Sequence, residues 1–139
     1  MKSPWNALRS LFAADATLTG LLARDAHGDA AIYPEMRADL VAEADYPMVT
    51  TPGASGESRV SASQADAEIS TWLTVSDTQT DPEGIRDSID ERMVALAFGT
   101  IRSAWFFEGV RVSVRTLGMR DANQPGLLRR RRVWTVGVG

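Results

Sequence analysis

The chain has no cysteine, so a disulfide framework and a thiolate metal site are both excluded, and a reducing compartment suits it. Zinc is improbable for the same reason. It has one histidine, His27, set among Ala, Gly and Asp in what reads as a turn, with no partner to make it a general base. Gly53-Ala54-Ser55-Gly56 is not followed by the Gly-Lys-Ser or Gly-Lys-Thr of a phosphate-binding loop. No apolar run approaches the ~18 residues a membrane helix needs. Lys2 and Ala14-Asp15-Ala16 have the outline of a signal peptide, but Asn6, Arg9 and Ser10 break its apolar core. The 139 residues are expected to form one soluble domain, spanning 1–139, that is not an enzyme and holds no metal or cofactor.

What the chain does have is charge divided along its length. Residues 1–108 carry 8 basic and 17 acidic side chains, whereas residues 109–139 carry seven arginines and a single carboxylate, Asp121. Net charges of −9 and +6 make up the overall −3. Such a split suits nucleic-acid contact, or self-association in which a basic surface meets a neighbour's acidic one. The sequence pI near 5.1 weighs against a free-standing nucleic-acid binder.

Ser3 and Pro4 read as a helix start, with Trp5, Leu8, Leu11 and Phe12 on one face. Asp15 can cap a second short segment, so the opening helix is expected to break or bend there. AAIYP and YPMVTT are short extended pieces. Residues 35–45 are acidic without a clear period; Glu35, Asp39 and Glu43 lack the spacing of a calcium loop and fit a solvated helix face. Pro52 to Asp66 is a long polar connection, a mobile loop or hairpin arm, with Glu57 and Arg59 as candidate partner contacts. Ile69 to Val75 alternate as a strand. Thr80-Asp81-Pro82-Glu83 starts a helix running to Gly99, with Asp87, Asp90 and Glu91 expected to face water. AWFFEG, VRVSVRT and the closing LLRRRRVWTVGV are strands, with MRDANQPG as a loop between the last two. The expected fold is α+β, a mostly antiparallel sheet with two main helices packed on one face.

The arginine run is informative through its parity. On an extended strand Arg130 and Arg132 share a side with Trp134, and Arg129 and Arg131 share the other with Val133. Both sides are cationic, and unpaired buried guanidiniums are too costly, so this half is expected to project into water or against carboxylates. Edge-protecting charge is one reading; an acidic partner surface is the other. Trp5, Trp72, Trp105 and Trp134 offer a base-stacking platform or, more plainly, core and contact residues.

An opening LRSLFAADATLTGLLA, then AAIYP, YPMVTT, ISTWLTVSD, PEGIRDSIDERMVAL and a final RRRRVWTVGV resemble, in order and spacing, the tail-terminator or tail-completion proteins of long-tailed phages and gene transfer agents. The resemblance implies a structural subunit of the virion, assembled in the host cytoplasm. It forms a hexameric ring on the head-proximal end of the tail tube, stops tube growth and joins the head connector, with DNA passing through the lumen unread. It carries over no catalytic residue. The long 52–66 connection and the four-arginine block depart from the family's pattern. A related neck or head-completion protein and a small nucleic-acid-binding module are the alternatives. A ring needs two different complementary patches, and Arg129, Arg130, Arg131 and Arg132 against a neighbour's Glu35, Asp39, Glu43 and Asp45 are the candidates.

Overall fold

Helix α1 (Pro4–Ala13) begins where Ser3 accepts a hydrogen bond from the Asn6 amide at 3.3 Å and proline fills the first turn. Asp15 then caps α2 (Ala16–Leu21) through the Leu18 amide at 2.9 Å, so the expected break is present. In the computed structural model, residues 3–35, 37, 39–40, 42–51, 57–59 (backbone) and 67–138 are described. Helix α3 (Pro82–Arg102) starts from Asp81, which sits at φ 52° and accepts from the Gly84 amide at 3.3 Å. A Cβ at position 84 would run into that carboxylate, so the cap requires glycine.

Among the described residues seven strands form one sheet: β1 (Ile32–Tyr33), β2 (Met48–Thr50), β3 (Glu57–Arg59), β4 (Ala67–Ser76), β5 (Phe106–Phe107), β6 (Val110–Asp121) and β7 (Leu127–Val138). Their order is β1-β2-β4-β7-β6-β5, with β3 also paired to β4. Only β1 and β2 run parallel. The expected α+β fold with a mostly antiparallel sheet is what forms. Part of the 52–66 connection is a hairpin arm, since β3 pairs antiparallel with β4; the side chains of Glu57 and Arg59 lie outside the described residues.

Two expectations are corrected. The arginine strand does not lie at an edge: β7 runs through the interior of the sheet, paired over ten residues with β4 and along its other side with β6. Nor does the loop before it begin at Met119. Strand β6 continues to Asp121, past a bulge between Thr116 and Gly118.

All three helices pack on one sheet face. Ile69, Leu73 and Val75 of β4, Val112 and Val114 of β6, and Trp134 and Val136 of β7 meet Leu8, Phe12, Leu18, Ile89 and Met93 there. Phe12 sets its ring edge-on to Trp134 at 5.5 Å, a geometry that suits the aromatic quadrupole. Arg92 of α3, half-exposed rather than core-facing, makes a two-point bond to Asp15 at 2.6 and 2.8 Å and ties α2 to α3. The other sheet face carries no helix among the described residues. At its β1–β2 end Tyr33 and Met48 cluster with Leu40 and Tyr46, and Ser70, Thr74, Arg129 and Thr135 are also buried on this face.

Because β5 pairs with only the first residues of β6, the next amides along that edge need other acceptors. Val112 N–H finds the Trp105 carbonyl at 2.9 Å, and Val114 N–H finds the buried Thr100 hydroxyl at 2.8 Å. Thr100→Val keeps the shape and removes the acceptor, leaving a buried amide unpaired. A loss of ~1–3 kcal/mol is expected in urea unfolding, with an unchanged m-value.

Candidate functional site

The arginine strand separates its side chains by parity onto two chemically different faces. On the helix face, Arg132 forms a two-point bond to Asp90 of α3, Nε to Oδ1 and Nη2 to Oδ2, both at 2.7 Å. Arg130 reaches the same Asp90 at 3.3 Å, Asp87 at 3.0 Å, and Asp121 of β6 at 2.7 and 3.2 Å. Arg132 also donates to the Thr116 hydroxyl at 2.9 Å and lies over the Trp134 ring at 5.8 Å. Arg86 adds a longer contact of 3.6 Å to Asp121. Two guanidiniums and one buried carboxylate thus bind α3 to the middle of the sheet. The hydrogen bond from Arg130 holds the Asp121 carboxyl below its ordinary range, and Asp121 in turn is the main cause that raises Arg130.

On the other face, Arg129 lies under neighbouring side chains, with its guanidinium 4.3 Å from the Trp72 ring centre and its Nε 3.3 Å from the Thr74 hydroxyl. Desolvation lowers its pKa, although a guanidinium stays charged regardless. Arg131 is exposed and touches the Ser70 hydroxyl at 2.9 Å. Arg120 of β6 is its register partner, and Arg115 and Arg111 follow further along the same strand, all exposed.

Several sequence expectations change here. The carboxylates that meet Arg130 and Arg132 belong to the chain itself, so these two are structural residues and not free to bridge to a neighbour. Asp90, expected to face water, is 5 % exposed. A signal for it existed: Arg86 and Asp90 fall at the three- and four-residue spacing of Ile89, Met93 and Ala97, so a carboxylate in the apolar stripe required a cation from the sheet. Glu35, Asp39, Glu43 and Asp45 are not a helix face. Asp39 pairs with Arg37 at 3.0 Å, Glu43 and Asp45 lie in a short 3₁₀ turn, and no described contact joins them to the arginine run. None of the four tryptophans is an open stacking platform: Trp134 is wholly buried, Trp105 stacks on Phe107, Trp5 packs against the core, and Arg129 caps Trp72.

No family model matches the chain, and no curated protein matches it. Among solved structures, a chain from the virion of a native gene transfer agent particle has the same fold. The TM-score is 0.57 at 14 % identity, over 94 % of this chain and 90 % of that one.

Removing Asp90 leaves two largely buried guanidiniums short of a partner. Asp90→Ala is expected to cost ~3–5 kcal/mol in urea unfolding. Charge reversal at Arg130 or Arg132 should likewise unfold the chain before it reports on any assembly. Asp121 has a folded pKa below its unfolded value of ~3.9, so its contribution is full above that pH and disappears as pH falls through the folded value. Asp121→Asn should flatten the acid limb of a stability–pH curve measured from pH ~5 to pH ~2.

Proposed function

We propose that this chain is a structural subunit of a phage-like particle, of the tail-terminator type, and that it assembles into a hexameric ring. In this role it would cap the head-proximal end of a tail tube, meet the tube protein on one side and the head connector on the other, and let DNA pass through its lumen. The observation that carries the reading is the fold shared with a virion chain over nearly the full length of both. His27, the one histidine of the sequence, is exposed in a turn.

A heterologous ring contact needs two unlike patches on each copy. One is proposed to be the acidic segment bearing Glu35, Asp39, Glu43 and Asp45, together with the 52–66 connection that includes Glu57 and Arg59. The other is the end of α3, where Phe98 and Ile101 are 55 % and 45 % exposed and Arg102 lies over the Phe98 ring at 5.4 Å. Apolar side chains one helical turn apart, edged by a cation, form a surface that an acid-rimmed neighbour would cover.

Light scattering on the isolated protein, and on a mixture with tail-tube protein, decides the matter. A mass six times the 15.1 kDa chain in either sample is expected. Phe98→Glu should return it to the monomer mass without changing the unfolding midpoint. A monomer in both samples would sink the reading.

A further inference from the structure

We propose that the helix-free half of the sheet, over β6 and β7, binds the phosphate backbone of duplex DNA without regard to sequence. The inference rests on this face alone and does not use the assembly reading above.

Four guanidiniums share the face. Arg111 and Arg115 alternate outward ahead of the bulge, Arg120 faces outward after it, and Arg131 is the register partner of Arg120 on the adjacent strand. All four are exposed, and none has a carboxylate partner among the described residues. Like charges directly opposite each other on neighbouring strands repel, so the Arg120–Arg131 pair retains a repulsion that a bound anion would relieve. A shallow depression of about 220 Å³ lies at this pair, lined by both arginines with Gly118, Met119 and Val133. Its size and its two fork-shaped donors suit a phosphate group.

The row has the right length for a polymer. Eight register steps from Arg111 to Arg120, past the bulge, at ~3.3 Å each span about 26 Å, the length of roughly eight base pairs at ~3.4 Å. Cations set along a line, rather than around an apolar centre, match a linear polyanion better than a protein surface. Glu68 of β4 shares this face, two strands from Arg115 through Thr135, and is half-buried; the acidity elsewhere does not oppose binding. Asp87, Asp90 and Asp121 are engaged by Arg130 and Arg132 on the helix side, and Glu83 and Glu91 are exposed on α3, across the sheet from the row. Duplex is favoured over single strand because Trp72, the tryptophan on this face, is already covered by Arg129.

The test is fluorescence anisotropy of the full chain with two unrelated labelled duplexes of about 20 base pairs, between ~50 and ~200 mM salt. Both duplexes should bind alike, with a log–log salt slope of about −3.6 for four phosphate contacts and a loss of about a hundredfold across that range. Replacing Arg111, Arg115 and Arg120 with Gln should leave a slope near −1, with the parent's unfolding midpoint and mass. If that triple variant does not fold, Arg115→Gln alone should reduce the slope by about 0.9. Three results would overturn the proposal: no binding at low salt, a flat slope, or a variant that binds like the parent. Absent binding combined with a lower solution mass for the variant would reassign the face to a contact between copies of this chain.

Discussion

Asp90 is the group on which the rest of the structure depends. An ionised carboxylate at 5 % exposure is tolerable only with cations in place, and here two arrive from alternate positions of one strand. Side chains two apart on a strand point the same way about 6.6–6.8 Å apart, so Arg130 and Arg132 are set to approach one acceptor from two sides. That geometry fixes the rotation of α3 about its axis, because turning the helix by one residue would move Asp90 off both partners. It also selects β7 as the strand beneath the helix and sets the register in which Leu73 faces Arg130 and Ile69 faces Trp134. An apolar cluster of similar volume could supply comparable stability, but with less discrimination between neighbouring registers.

Much of this architecture was legible in the chain. Helix caps at Ser3, Asp15 and Asp81 sit where short polar side chains precede apolar periodicity, and the alternation from Ile69 to Val75 gives the strand and its core face. The location of the arginine strand was not legible. Four consecutive cations read locally as a solvent-facing strand, and only the burial of a carboxylate some forty residues earlier reverses that reading. Burial of this kind is a property of packing at long sequence separation, which propensity and local period do not encode. The loop before β7 was misplaced for a related reason: Met119, Arg120 and Asp121 are polar or flexible enough to suit a turn, yet ladder pairing with β7 holds them extended. The pairing of Asp39 with Arg37, only two residues away, was not read from the sequence either.

Division of labour among the late arginines is the chain's main chemical feature. Those pointing to the helices neutralise carboxylates and behave as parts of a core; those pointing away, apart from the buried Arg129, stay solvated and make the outer surface of β6 and β7 cationic. The acidic total for the whole chain therefore describes neither face. Unlike sides of this kind fit the assembly proposed above, in which each copy would meet more than one kind of neighbour. They also explain how an acidic protein can keep cations on one face of a strand whose other face is neutralised internally.

The bulge between Thr116 and Gly118 sets which arginine does which task. Ahead of it the even-numbered residues of β6 face the helices, and after it the odd-numbered ones do, so Asp121 meets Arg130 while Arg120 joins Arg111 on the open side. Were Leu117 paired in line instead of bulged out, strict alternation would exchange the two: the carboxylate would turn outward among the exposed guanidiniums, and Arg120 would turn inward opposite Arg130. Both faces would fail together. A one-residue insertion or deletion between Gly118 and Asp121 reverses the same parity, so length changes there should be tolerated far less well than the exposed surface suggests.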